Sequence, residues 1–235
     1  RGHPGDHRQV SPPSSVGGGG WGLGGRRLYL CTGDRPDLGA FLAACLRGGV
    51  DLVQLREKHL EARPLLARAR LALEVCHDHQ VPFILNDRPD LALEAGADGV
   101  HVGQDDAPPA LARRLLGSGR LVGLSTHAEA EVDASLEEPV DYVSAGPVSP
   151  TPTKPGRPGT GLAYLGYATA HAGRPVFVTG GVTPDTVPDL VGAGARHFVV
   201  VRHLTQADDP EGAARALRSA IDRALAMAPG DLRTS

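Results

Sequence analysis

Residues 52 to 102 read LVQLREKHLEARPLLARARLALEVCHDHQVPFILNDRPDLALEAGADGVHV and contain three short apolar runs, Leu52–Leu55, Pro82–Leu85 and Gly99–Val102. Between the first two runs, apolar residues recur at helical spacing, namely at Leu65, Leu66, Ala69, Leu73, Val75 and Cys76. Short apolar runs separated by an amphipathic segment predict strands joined by a helix. This part of the chain therefore predicts the repeated βα arrangement of a parallel sheet.

The same alternation extends over the rest of the chain from Arg26 onward. Eight apolar or β-branched runs recur, at Leu28–Cys31, Leu52–Leu55, Pro82–Leu85, Gly99–Val102, Leu121–Leu124, Val140–Val143, Val176–Val178 and Phe198–Val201. A proline-rich loop and a predicted helix near Leu162–His171 separate the sixth run from the seventh. Two architectures have this pattern, the open doubly wound sheet and the closed (β/α)8 barrel.

The number of repeats favours the barrel, which has eight strands and a typical length of roughly 250 residues. An open sheet would predict the motif G-x-G-x-x-G after its first strand, whereas residues 31–36 read CTGDRP. We therefore predict an α/β fold, a single (β/α)8 TIM barrel over residues 26–228. Residues 1–25 are rich in Gly, Pro and Ser and are predicted to be a disordered leader, and residues 229–235 a flexible tail.

The composition narrows the possible partners. The net charge is −3 and no basic stripe with interleaved aromatics occurs, which predicts no nucleic-acid partner. No apolar run approaches the roughly 20 residues of a membrane span, which predicts no membrane partner. Cys31, Cys45 and Cys76 form no pattern of metal ligands or disulfides, as expected of a cytoplasmic protein. Whether the chain forms a homo-oligomer remains open.

Polar side chains cluster at the carboxyl ends of the predicted strands, where a TIM barrel has its active site. They include Gln54, Asn86, Ser125 and the strand-eight end Val201-Arg202. Asp87 and Asp106 follow neighbouring strands, and two carboxylates with few other protein ligands suit Mg²⁺. The alternative is that each of the two aspartates N-caps the helix that follows it.

Three cations are predicted at the same end of the barrel. Arg56 and Lys58 are two positions apart on one strand, as a continuation of the second apolar run, and can point the same way, and Lys154 follows the sixth strand. Cations beside carboxylates would clamp a phosphate and its metal. The alternative is a solvated surface on which Glu57 and Lys58 form an ion pair.

Two loops have features of anion sites. The turn Gly180-Gly181 exposes backbone N–H groups near a helix start, although glycine pairs are also ordinary turns. Residues 144–156 read SAGPVSPTPTKPG and present Thr151, Thr153 and Lys154 between prolines. The prolines restrict the loop, so little entropy is lost when these donors bind an anion. No Ser–His or Cys–His pair is evident, which predicts no covalent intermediate.

Six motifs stand in barrel order: QLREK (54–58), FILND (83–87), DGVHVGQDD (98–106), GLSTH (123–127), GPVSPTPTKPG (146–156) and TGGVT (179–183). With these motifs the chain resembles the thiamine phosphate synthase family of (β/α)8 enzymes, from about Leu28 to Ala226. The resemblance implies a Mg²⁺-dependent transferase. It joins 4-amino-2-methyl-5-hydroxymethylpyrimidine diphosphate to 4-methyl-5-(2-phosphoethyl)thiazole, releasing diphosphate and thiamine phosphate through a dissociative substitution.

The resemblance also implies residue roles. Asp87 and Asp106 would bind Mg²⁺. The residues that would stabilise the departing diphosphate, and so act catalytically, are Arg56, Lys58, Ser125 and Lys154. The remaining substrate contacts would be Gln54 and Asn86 for the pyrimidine diphosphate, and Thr151, Thr153, Gly181, Val201 and Arg202 for the thiazole phosphate.

Two positions depart from the common family pattern. Ser149 stands where many members have an aromatic residue, and Val201-Arg202 stands where many have Ile-Ser. Two other functions remain open. One is a thiazole tautomerase, which needs no diphosphate clamp, and the other is a non-catalytic, phosphate-sensing regulatory barrel.

Overall fold

The structure, a computed structural model, describes residues 21–150 and 159–228. The predicted ligands Thr151, Thr153 and Lys154, the first twenty residues of the predicted leader and the predicted tail lie outside these ranges. Within them, no helix is long and apolar enough to cross a membrane.

Eight parallel strands form a closed barrel in chain order, which confirms the predicted (β/α)8 fold. The strands are β1 Leu28–Thr32, β2 Leu52–Leu55, β3 Phe83–Asn86, β4 Gly99–Val102, β5 Leu121–Thr126, β6 Tyr142–Ala145, β7 Val176–Val178 and β8 His197–Val200. The barrel closes where β1 pairs with β8, with Leu28 opposite Phe198.

Helices follow the strands around the outside of the barrel. They are α1 Leu38–Arg47, α2 Ala62–Asp78, α3 Pro89–Ala95, α4 Pro109–Leu116, α5 Glu129–Ser135, α6 Gly161–His171, α7 Val187–Gly192, α8 Arg202–Thr205 and α9 Pro210–Met227. Strand β2 ends at Leu55 and β8 at Val200, so Arg56, Lys58 and Arg202 lie beyond the strands on which we predicted them. Arg202 instead begins the short helix α8.

The strands divide the core into two layers because successive side chains point to opposite faces. Outward residues such as Leu30 and Val53 pack against the helices in one large apolar cluster. Inward residues form a second cluster inside the barrel, in which Tyr29, Tyr142 and Phe177 make edge-to-face contacts with ring centroids 5.2–6.0 Å apart. Such aromatic pairs stabilise the fold beyond the area that they bury.

Three aspartates join neighbouring strands at the opposite end of the barrel from the predicted site. Asp51, Asp98 and Asp141 stand before β2, β4 and β6, and each accepts a hydrogen bond from a backbone N–H of the preceding strand. These bonds are Leu28 N to Asp51 (2.9 Å), Phe83 N to Asp98 (2.8 Å) and Val122 N to Asp141 (2.7 Å). Backbone N–H groups near the start of β1, β3 and β5 therefore have side-chain partners.

The segment Trp21–Gly25 corrects the predicted boundary of the leader. The Trp21 indole N–H donates to Asp98 Oδ1 at 2.8 Å, and Leu23 is only 7 % exposed inside the inner apolar cluster. The Leu23 side chain covers the end of the inner apolar cluster and so shields that cluster from water. Residues 21–25 are thus part of the barrel, although their glycine-rich composition predicts disorder.

We expect Leu23→Ala to destabilise the barrel by about 2 kcal/mol or more, because the substitution leaves a cavity in a buried cluster. In a domain of this size, that corresponds to a fall in Tm of about 4–8 °C. Thermal unfolding measures it, with Leu162→Ala as the control because Leu162 is 44 % exposed. An equal Tm for both variants would show that Leu23 does not pack.

Candidate active site

Five of the predicted site residues line one cavity at the carboxyl ends of the strands: Gln54, Arg56, Asn86, Ser125 and Val201. Gln54 and Ser125 come from β2 and β5, on different sides of the barrel, and Asn86 ends β3. The side chains of Gln54, Asn86 and Ser125 are all less than 9 % exposed. The structure therefore brings together polar groups that lie far apart in the chain, as the strand-end rule predicts.

The predicted metal ligands Asp87 and Asp106 interact directly. Burial raises the pKa of Asp87, the hydrogen bond with Asp106 raises it further, and the hydrogen bond from Lys58 opposes the rise. Lys58 Nζ lies 2.9 Å from Asp87 Oδ2. Asp106 also accepts a hydrogen bond from Gly103 N at 2.8 Å. Two adjacent carboxylates beside a cation could hold a divalent ion of the kind that takes its other ligands from water and phosphate.

In the described residues neither aspartate caps a helix and Glu57 does not pair with Lys58, although Lys58 is exposed as the surface alternative requires. Helix α3 has Arg88 at its N-cap and no side-chain cap, so Asp87 does not cap it, and α4 has Pro108 in that position rather than Asp106. Glu57 accepts hydrogen bonds from the backbone N–H groups of Asp34 and His59, and Lys58 pairs with Asp87 instead.

No cluster of three or more His, Cys, Asp or Glu suited to a metal occurs in the described part of the chain.

A second cavity of about 270 Å³ lies between the loops after β7 and β8 and is lined by Gly180, Gly181, Val201 and Arg202. Gly180 and Gly181 have φ angles of 92° and 79°, which favour glycine. A Cβ at Gly180 would meet Pro147 Cβ at 2.6 Å, so only glycine lets the two loops approach. Arg202 is exposed at the rim of this cavity.

The structure also shows buried polar residues that sequence reasoning missed, namely Tyr29, His101, Tyr142 and Ser144. The ring of His101 lies with Nε2 2.9 Å from Ser125 Oγ and Nδ1 3.1 Å from the Tyr142 hydroxyl. The sequence-based expectation of no Ser–His pair is therefore wrong. Only the alternation of inward positions along each strand could have indicated these neighbours.

The comparisons with known proteins agree with this geometry. Residues 28–217 match the family model described as thiamine monophosphate synthase. The chain is 47% identical over 210 residues to a thiamine-phosphate synthase of Mycolicibacterium smegmatis, covering 84% of this chain and 92% of that protein. It is 50% identical over 201 residues to a thiamine-phosphate synthase of Thermus thermophilus, covering 83% and 97%.

Solved structures show the same fold. The thiamine phosphate pyrophosphorylase of Pyrococcus furiosus superposes with a TM-score of 0.77 at 26% identity, covering 85% of this chain and 96% of that one. A 3-hexulose-6-phosphate synthase superposes with a TM-score of 0.64 at 22% identity, covering 83% and 99%, and shares the fold alone. With its barrel, its strand-end polar cluster and these relatives, the chain belongs to the thiamine monophosphate synthase family of transferases.

Proposed function

We propose that this chain joins 4-amino-2-methyl-5-hydroxymethylpyrimidine diphosphate to 4-methyl-5-(2-phosphoethyl)thiazole and releases diphosphate and thiamine phosphate. The observation that carries the proposal is that two cavities at one rim share a wall of Thr179, Val199 and Val201. One cavity has the cation and amides suited to a pyrimidine diphosphate, and the other has the glycine turn suited to a phosphate. Two substrates would thus lie side by side, with their reacting atoms adjacent.

Mg²⁺ fits the residues present. Asp87 and Asp106 are adjacent, partly buried carboxylates, and Lys58 partly neutralises Asp87. These two aspartates would hold the ion, with the diphosphate oxygens and water completing its coordination. When bound, Mg²⁺ supplies positive charge to oxygens that become more negative as the diphosphate leaves.

The protein's own groups would favour departure of the leaving group. Asn86 and Gln54 would orient the pyrimidine, and Arg56, Lys58 and Ser125, with Lys154, would donate to diphosphate oxygens. The bond between the methylene carbon and the diphosphate oxygen breaks with its electrons on oxygen. The thiazole nitrogen then forms the new bond to that carbon.

The direct experiment is to incubate the purified chain with both substrates and Mg²⁺ and to measure thiamine phosphate and diphosphate. We expect both products in equal amounts. Conversion of a thiazole isomer without release of diphosphate would identify a tautomerase instead. Phosphate binding without any turnover would identify a phosphate-sensing barrel.

We expect Asp87→Asn and Asp106→Asn each to lower turnover by orders of magnitude while the barrel stays folded. Each removes one charge from the proposed metal site, and the Lys58–Asp87 pair is exposed enough to add little stability. Steady-state rates over a Mg²⁺ titration, together with circular dichroism, measure this. The control is Asp105→Asn, because Asp105 is the exposed neighbour of Asp106. Near-normal activity of either test variant at limiting Mg²⁺ would exclude the metal assignment.

We expect Arg202→Ser to raise KM for the thiazole phosphate about tenfold, which equals about 1.4 kcal/mol. The guanidinium lies at the rim of the cavity lined by Gly180 and Gly181, where it would donate to a phosphate. KM for the pyrimidine diphosphate should not change, because Gln54 and Asn86 line the other cavity. Arg114→Ser, on the exposed face of α4, is the control. Unchanged constants for both substrates in Arg202→Ser would show that its side chain does not bind phosphate.

A further inference from the structure

A continuous chain of hydrogen bonds crosses the barrel beneath the proposed diphosphate site. Gln54 Nε2 donates to the Tyr29 hydroxyl at 2.6 Å, and the Tyr29 and Tyr142 hydroxyl oxygens are 2.9 Å apart. His101 Nδ1 lies 3.1 Å from the Tyr142 hydroxyl, and His101 Nε2 lies 2.9 Å from Ser125 Oγ. Side chains of β1, β2, β4, β5 and β6 thus form one connected network.

Gly123 provides the space in which two members of this chain meet. A Cβ at position 123 would lie 2.5 Å from both His101 Nδ1 and the Tyr142 hydroxyl oxygen. Gly123 is opposite His101 on β4 and opposite Tyr142 on β6 in the sheet register. The missing side chain on β5 therefore lets groups from the strands on its two sides touch through the barrel interior.

Both tyrosines carry their hydroxyl hydrogen at neutral pH. Burial raises the pKa of Tyr29 well above its usual value, and it also raises the pKa of Tyr142. Each phenol therefore has one hydrogen to donate and an oxygen that accepts. The direction in which the two hydroxyls donate is set by the group at the first end of this hydrogen-bond chain.

Gln54 is that group. Its Nε2 faces the Tyr29 hydroxyl, and its Oε1 accepts from the Cys31 thiol at 3.5 Å. Because the Tyr29 oxygen accepts from Gln54, its hydrogen goes to the Tyr142 oxygen, and the Tyr142 hydrogen goes to His101 Nδ1. A neutral imidazole that accepts at Nδ1 carries its proton on Nε2 and donates there.

We propose that Tyr142 is a positioning residue that holds His101 in the Nε2–H tautomer, so that Ser125 accepts from His101 and turns its own hydroxyl hydrogen toward the substrate. The proposal rests on the proposed function in taking the diphosphate as the acceptor. Ser144 Oγ, which donates to Ser125 Oγ at 3.4 Å, also leaves the Ser125 hydrogen for the cavity.

Because His101 donates to Ser125 in this arrangement, the Ser–His pair has the role opposite to that in a nucleophilic dyad. In such a dyad the histidine accepts the serine proton, and a carboxylate commonly orients its other nitrogen. Here a phenol, the Tyr142 hydroxyl, lies 3.1 Å from His101 Nδ1 and donates to it. Ser125 is thus a donor to an anion, which agrees with a reaction that has no covalent intermediate.

The first test is the protonation state of His101 in the full chain without ligand, measured by long-range ¹⁵N–¹H NMR, with a His101→Asn variant to assign the signal. We expect the Nε2–H tautomer, and a mixture of tautomers in Tyr142→Phe. A single Nδ1–H tautomer in the unmodified chain would mean that the hydrogen bonds run the other way and would overturn the proposal. This measurement requires neither substrate nor turnover, so it stands apart from the proposed function.

The second test is titration with inorganic diphosphate in the presence of Mg²⁺. We expect Tyr142→Phe to weaken binding about tenfold, because Ser125 can then donate to His101 instead of to the ligand. Tyr167→Phe is the matched control, since it removes a hydroxyl that donates to Asp133 on the surface at 2.8 Å. Equal affinities in Tyr142→Phe and the unmodified chain would contradict the proposal. No diphosphate binding by the unmodified chain would contradict the proposed function and leave the tautomer result to decide the inference.

Discussion

The pairing of β1 with β8 closes the sheet, and the site depends on that closure. All eight strands are parallel, so every strand ends at the same rim, and residues that follow strands far apart in the chain meet there. Gln54 and Ser125 line one cavity although they come from β2 and β5. An open sheet with the same strands would leave these two residues on one extended edge, without a common cavity.

Closure also determines the chemistry inside the barrel. Half of the strand positions point inward, and a polar group that is buried there needs a hydrogen-bond partner. The tyrosine pair, His101 and Ser125 satisfy one another, which allows a polar layer above the apolar layer that contains Leu52 and Phe177. This division places a connected set of hydrogen-bonding groups directly under the rim.

The sequence predicted the barrel because strand and helix periods repeat eight times. It predicted Gln54, Asn86 and Ser125 because polar residues after apolar runs must lie at the rim. It did not predict contact between His101 and Ser125, because the distance across a barrel depends on strand register and on the space left by Gly123. It also missed the packing of Leu23, since a glycine-rich segment shows no periodicity to reveal a buried position.

Under the proposed function, one rim holds a divalent ion, a diphosphate and a thiazole phosphate at separate, adjacent places. A crystal structure of the chain with Mg²⁺, inorganic diphosphate and thiamine phosphate tests it most directly. We expect the ion on Asp87 and Asp106, the diphosphate at Arg56, Lys58 and Ser125, and the phosphate of the product against Gly180 and Gly181. Diphosphate bound at the glycine turn, or an ion bound away from both aspartates, would contradict it.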